Sequence, residues 1–548
     1  MKGLLDTLRY AWTVMRRRGP SQIQFWVLAL IIGIGAGLVA LVFRVTIQFL
    51  QEQVYGSNDT HLLHVMTDVP WYWTILVATL GGLVVGLILH RFTPDGRARS
   101  VADVIEGAAM REGRVETREG VASAFASLIT LSTGGSAGRE GPVVHLAGVI
   151  STKISNVIRA DGVTGRDLLG CAVAAAVSAS FNAPIAGALF ALEVILRHFA
   201  VHAFAPIFIA SVTGTVIGRL AFGNVTEFTL ATGTELAFYV ELPAFLILGL
   251  LCGLVAATLM RTIFWADDFG NKVQVRTGMP RYLRPAVSGA ILGMIAIWFP
   301  HIIGVGYGTM SDALSGNLGF WTLLVFAVIK CIAVAITMAG RMGGGVFSPA
   351  LMMGALTGLA FGLVATSVMP TMSGAATLYA LAGMGAVAAA VLGAPISTTL
   401  IVFELTGDWQ TGLAVMVAVS MSTALASSMV DRSFFLTQLE RRNIHLAAGP
   451  QAYLLALCSV ASLMRLKEEA DLDEARCWAM IEDGIYVDGN ATLEVAMPMF
   501  EQGNVAFIPV VTLGGENQPP ELWGALFQVD ALRAYNKALA AIAAEEHS

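Results

Sequence analysis

Charge is what this chain has little of. Asp, Glu, Lys and Arg together make up 13% of its 548 residues, against roughly 25% in soluble domains. With 56% hydrophobic residues and a mean hydropathy of +0.70, a soluble globule is excluded. A net charge of -6 gives no basic footprint for nucleic acid, so no such partner is expected. Cysteine is equally sparse. Cys171, Cys252, Cys331, Cys458 and Cys477 are odd in number and without CxxC spacing, which excludes a disulfide framework or a zinc site; they read as small buried apolar residues. No nucleotide-binding loop, HExxH pair or GxSxG elbow occurs and the histidines are dispersed, so neither an enzyme nor a metal site is indicated.

What is there is apolar sequence in broken pieces. Hydrophobic stretches recur at about 24–50, 71–92, 121–131, 143–157, 168–199, 203–222, 238–264, 286–299, 320–339, 350–368, 377–403 and 411–429. Several fall short of the roughly 20 residues that a straight span needs, and Gly, Ser and Pro interrupt many. The first is too long for a cleavable signal and no small-residue cleavage site follows it. Lys2, Arg9 and the run Arg16-Arg17-Arg18 precede it, and Arg441-Arg442 close the last apolar region. By the positive-inside rule both termini are expected in the cytoplasm, and Leu4 to Val14 suits a short interfacial helix within residues 1–20.

Between two such stretches stands Gly138-Arg139-Glu140-Gly141-Pro142. A carboxylate in this setting is costly and marks an ion pathway by default. Flanking glycines let backbone approach a ligand, and proline suits the first turn of a helix. Helix N-termini attract anions, so Glu140 reads as a tethered anion competing with a mobile one for the same seat. A glutamate that only caps a buried helix is the plainer alternative. The chain also repeats itself: Ala183-Pro184-Ile185 leads to Glu193 as Ala394-Pro395-Ile396 leads to Glu404, and Gly138 to Pro142 has a counterpart in Gly345-Val346-Phe347-Ser348-Pro349. Two halves, about 24–222 and 238–430, share one plan. Paired halves with broken helix starts point to a site at their interface near midplane.

These residues resemble the CLC chloride channel and chloride/proton antiporter family. GREGP at Gly138, GGVFSP at Gly344 and FNAP at Phe181 carry the likeness, which spans about residues 20–445. It implies an all-α polytopic core of inverted repeats over 21–445, a homodimer, and no cofactor beyond transported chloride. Glu140 would be the gate, closing the pore when ionised. Chloride ligands would come from Ser100, from the backbone around Arg139, Gly141, Val346 and Phe347, and from the position of Phe435. The chain departs from the family in three places. Arg99-Ser100-Val101-Ala102-Asp103 stands where relatives carry GSGIP; Asp103 suits a helix cap, its charge would also repel an anion, and a plain helix-capping Ser or Asp is the alternative. Phe435, with Phe434 beside it, replaces a tyrosine whose hydroxyl a phenyl ring cannot supply. Val194, after Glu193, stands where antiporters usually place a proton-transfer glutamate. Valine carries no proton, so passive, voltage- and pH-dependent chloride conduction is the expected activity. Coupled chloride/proton exchange is the alternative, and a non-transporting anion-binding receptor or scaffold the rival. Glu193 itself is a proton-pathway position, although its mate Glu404 suggests a shared structural role. Lys330 reads as paired or snorkelling, and His145 as packed or as tuning Glu140. A bacterial inner membrane is the expected location.

From about residue 446 the composition changes, with 15 acidic against 5 basic side chains. The string from Val487 reads as a helix start, Val505 to Val511 and Leu522 to Phe527 as strands, and Val529 to Ala541 as a helix. This order resembles a CBS domain over 446–548, with Val460 to Met464 as the start of a first copy. The resemblance would allow an adenine nucleotide as regulator, but Asp530 lacks the Thr or Ser expected before a ribose-binding aspartate. Support of a dimer is the better reading.

Overall fold

The computed structural model describes residues 21–57, 69–199, 201–223, 238–370, 374–444, 446, 455, 458–467, 474–489, 491–503, 505–512 and 521–546. The helix expected within 1–20 lies outside them. Two compact units are present, one of residues 1–199 and 203–444, the other of 200–202 and 445–548.

The described part of the larger unit is helical. Its first half runs α1 (Gln22–Tyr55), α2 (Trp71–Phe92), α3 (Val101–Met110), α4 (Thr117–Thr133), α5 (Glu140–Ile158), α6 (Gly162–Phe181), α7 (Pro184–Phe190, continued by a π-helical turn Ala191–Leu196) and α8 (Val201–Phe222). The second half repeats the order with α9 (Phe238–Thr277), α10 (Arg284–Trp298), α11 (Tyr307–Leu314), α12 (Phe320–Ala339), α13 (Phe347–Val368), α14 (Ala376–Leu392), α15 (Pro395–Thr406) and α16 (Trp409–Met429), and α17 (Phe434–Glu440) follows. Seven described helices are long and apolar enough to cross a bilayer. Exposed Trp71, Trp298, Trp321 and Trp409 lie at helix ends, where amphipathic rings settle at a membrane interface.

Two stretches that read as continuous in the sequence are each two helices. After α6, Asn182 takes a left-handed φ of 57° and Pro184 opens α7. After α14, Gly393 takes φ 70° and Pro395 opens α15. A left-handed residue ends one helix and a proline, lacking an N–H that the first turn would leave unused, begins the next. Hydropathy is blind to this break because Ala and Ile fill both sides of it.

The halves meet about a two-fold axis. Gly138 and Gly345, equivalent by sequence, form an antiparallel bridge with N–H to O distances of 2.7 and 2.8 Å. Residues that pair antiparallel with their own equivalents sit on a two-fold, and here it inverts one half relative to the other. Elsewhere helices pack through glycine, as expected where lipid supplies no hydrophobic drive between them. A Cβ on Gly358 of α13 would lie 2.1 Å from the Tyr379 carbonyl of α14. Gly358→Ala should therefore cost about 1–3 kcal/mol, read as a lower melting temperature in detergent; an unchanged melting temperature would show that the two helices slide freely.

The smaller unit is α/β. Strands β1 (Arg465–Leu466), β2 (Val487–Asp488), β3 (Phe507–Thr512) and β4 (Glu521–Phe527) form one sheet in the order β1-β4-β3-β2. Helices α18 (Val460–Leu463), α19 (Glu474–Glu482), α20 (Leu493–Gly503) and α21 (Gln528–Glu546) accompany it. Val460, Val487, Leu493, Phe500, Ile508 and Leu526 share one core. The segment expected to start a first copy thus packs into the same core as the rest, and β1 pairs with β4 in the same sheet.

Candidate functional site

The Gly138–Gly345 bridge draws together the starts of α5 and α13, which begin two residues beyond each glycine. Glu140 is the first residue of α5 and only 1% exposed. Its Oε1 accepts hydrogen bonds from the Ser348 hydroxyl at 2.5 Å and the Tyr307 hydroxyl at 2.9 Å. Ser348 lies in the first turn of α13, and Tyr307 opens α11 behind Gly306, whose φ of 89° a side chain would strain. The other oxygen, Oε2, is buried without a hydrogen-bond partner. A Cβ on Gly138 would lie 2.5 Å from it, so the glycine leaves room for the carboxylate where it now sits. Starts of α5, α11 and α13 therefore surround one ionisable group, with the positive ends of their dipoles nearest to it.

Tyr307 and Ser348 were not singled out in the sequence, because each lies far along the chain from the glutamate it binds. Arg139 caps α5, and its guanidinium lies over the Tyr307 ring, 4.8 Å from the centroid. Lys330 on α12 is fully buried and donates to the carbonyls of Ile302 and Gly304 at 3.3 and 3.4 Å; these bonds hold it in the interior rather than letting it snorkel. His145 packs against α4, where a Cβ on Gly120 would meet its ring at 2.5 Å, and neither ring nitrogen has a hydrogen-bond partner.

Ser100, Gly345, Val346 and Phe435 line one cavity of about 90 Å³. The Ser100 hydroxyl also lies against the start of α5, since a Cβ on Gly141 would meet it at 2.4 Å. Around the cavity stand Arg97, Arg341, Arg441 and Arg442, of which Arg97 pairs with Asp267, Arg441 with Asp268 and Arg442 with Asp103. The Asp103 charge does not stand alone. Its carboxylate accepts from the Ser100 N–H at 2.8 Å and from Arg442 at 2.7 Å, with Arg99 at 3.8 Å. Arg442 is therefore its direct ion-pair partner, and the carboxylate closes a capping box at the start of α3. Arg99 also binds Glu116 at 2.7 Å and Asp95 at 2.9 Å. Burial opposes the charge on Asp95, but Arg99 holds its carboxyl below the usual carboxylate range.

The remaining sequence candidates have other settings. The Phe347 ring packs on Phe181 and Phe190, with centroids 4.7 and 5.7 Å away. Glu193 lies in the π-helical turn after α7 and accepts from the N–H groups of Ile396 and Ser397 at 2.9 and 2.8 Å, and from the Ser397 hydroxyl. Glu404 does the same for Ile185 and Ala186, at 2.9 and 2.8 Å. Each carboxylate thus caps the helix that begins with the other half's Ala-Pro, which is the shared role that their symmetry suggested. Val194 is buried beside Glu193.

Residues 81–427 match the protein family described as Voltage gated chloride channel. A ClcB-like chloride channel protein from Ralstonia nicotianae is 31% identical over 397 residues, covering 71% of this chain and 90% of its own. The H(+)/Cl(-) exchange transporter ClcA of Cronobacter sakazakii is 27% identical over 437 residues, 77% of this chain and 91% of its own. Among solved structures, a slow cyanobacterial Cl-/H+ antiporter superposes with a TM-score of 0.68 at 21% identity, covering 76% of this chain and 97% of its own. A eukaryotic CLC transporter gives 0.66 at 18% identity, covering 95% and 98%. The matched span holds both helix-start motifs and the bridge between them, and with it this multi-pass membrane protein belongs to the voltage-gated chloride channel, or CLC, family.

Proposed function

We propose that this protein carries chloride across a bacterial inner membrane, with Glu140 as a protonatable gate, and that it exchanges chloride for protons. The observation that carries the reading is the Glu140 carboxylate itself, buried where three helices start, with one oxygen held and the other unpartnered. A proton added at Oε2 removes the charge that the helix starts attract, and an anion then competes for the vacated seat. Ser100, Gly141, Val346 and Phe347 would offer the chloride a hydroxyl and backbone N–H groups. Dipoles hold an anion less tightly than a lysine would, which permits quick release.

Exchange is preferred to the passive conduction first expected because relatives such as ClcA are named as H(+)/Cl(-) exchangers. Passive conduction remains favoured by one observation, Val194, which removes a side-chain proton carrier from the inner end. Proteoliposomes decide between them. With a chloride gradient and no pH gradient, chloride efflux that drives uphill proton uptake supports exchange. Efflux with a reversal potential set by chloride alone means a channel, and retained chloride binding without efflux means a receptor or scaffold.

Two copies would assemble as a homodimer with both termini in the cytoplasm, and the acidic CBS-like unit would support that assembly. Its Asp530 carboxylate is bound to Arg465 at 2.7 Å and lies 3.5 Å from Arg533, so its charge is already engaged. Millimolar ATP or AMP should accordingly leave the melting temperature of the protein unchanged; a rise that saturates with nucleotide would assign the unit a sensing role.

A further inference from the structure

A carboxylate that gates a pore must be held in the closed position firmly enough to matter and loosely enough to leave. Backbone N–H groups at helix starts are the common means, but this chain adds two hydroxyls. Ser348 and Tyr307 come from different helices, and both donate to the same oxygen of Glu140, at 2.5 and 2.9 Å. Both are buried, with Ser348 at 0% and Tyr307 at 4% exposure, so water does not replace either bond while the gate is closed. At the inner end the position expected to bear a hydroxyl is Phe435, which has none.

We propose that Tyr307 and Ser348 are positioning residues that latch Glu140 shut, and that breaking these two hydrogen bonds is the step that limits opening. The inference deepens the reading of Glu140 as the gate and rests on it. The charged groups facing the latch are Arg139, which stacks over the Tyr307 ring from the cap of α5, and Lys330 from α12, whose ammonium would lie 3.3 Å from a Cβ on Gly306. From α13 the latch receives only Ser348, since that helix has no ionisable residue. His145, on α5 itself, is turned to Gly120 of α4. The ring that Arg139 covers survives in phenylalanine. Tyr307→Phe therefore removes the hydroxyl bound to Glu140 and keeps the ring.

The test is chloride efflux from liposomes as a function of external pH for wild type, Tyr307→Phe and Ser348→Ala, each also placed in a Glu140→Ala background. Losing one hydrogen bond to a charged acceptor should raise efflux at neutral pH about tenfold and flatten its rise on acidification. In the Glu140→Ala background the same substitutions should change efflux by less than about twofold, because there is no carboxylate left to latch. Unchanged efflux curves in both single variants, while Glu140→Ala itself alters the curve, would overturn the latch and leave the gate standing. Equal effects with and without the carboxylate would also overturn it, since the hydroxyls would then be acting on the anion path. A Glu140→Ala protein that keeps the wild-type pH dependence overturns gate and latch together.

Discussion

Glu140→Gln should conduct chloride at a rate that no longer responds to external pH, and at neutral pH it should exceed wild type. The amide keeps the size of the side chain and removes its charge, so the attraction of the α5, α11 and α13 starts for a carboxylate is lost at every pH. With Glu140 as the gate, adding a proton to the wild-type carboxylate removes the charge that holds it in place. Acidification should therefore raise wild-type flux and leave Glu140→Gln and Glu140→Ala flat. Should flux be coupled, both variants also lose uphill proton movement, because the group that alternates between proton and pore is gone. A variant with the wild-type pH profile would show that the buried carboxylate is a helix cap and no more.

Much of this arrangement was legible in the sequence because it is local. Glycine before and proline after a short polar core mark helix starts, and the spacing of Gly138 and Pro142 against Gly345 and Pro349 identified the two segments that bridge each other. The pairing of Glu193 with Glu404 was visible as repetition, and the repetition itself predicted a common role. Hydropathy did worse, since it joined α6 to α7 and α14 to α15 across the Asn182 and Gly393 breaks. What stayed hidden was the latch. The contacts of Glu140 with Tyr307 and Ser348 join residues 167 and 208 positions apart, and no local pattern distinguishes either hydroxyl from its neighbours. One signal was available: α3 and α11 hold the same place in the two halves, so extending the repeat upstream from Ser348 brings α11, and Tyr307 with it, to the place that mirrors Ser100. The ion pair of Asp103 was hidden for the same reason, as Arg442 lies 339 residues away.

Glu193 and Glu404 lead to the other large expected effect, on stability and not on gating. A helix that begins with proline still leaves its next N–H groups without intrahelical partners. Here each pair is bound by both oxygens of one carboxylate from the opposite half. Glu404→Ala strands Ile185 and Ala186 at about 2–4 kcal/mol for two lost charge-assisted bonds, and Glu193→Ala, which strands Ile396 and Ser397 and also loses the Ser397 hydroxyl bond, should cost more. Glutamine keeps one acceptor oxygen, so Glu404→Gln and Glu193→Gln should lose about half as much. Thermal unfolding in detergent would rank the four, with each Glu193 variant falling at least as far as its Glu404 counterpart. Proton coupling separates this role from the one first assigned to Glu193. As a cap, Glu193→Gln lowers the melting temperature and leaves whatever coupling the wild type has intact, because Glu140 and its two hydroxyls are untouched. As a proton carrier, Glu193→Gln would abolish coupling while Glu404→Gln, its structural twin, would not. The matching N–H contacts of the two carboxylates predict the same unaltered coupling, and a difference in coupling between the twins would break that reading.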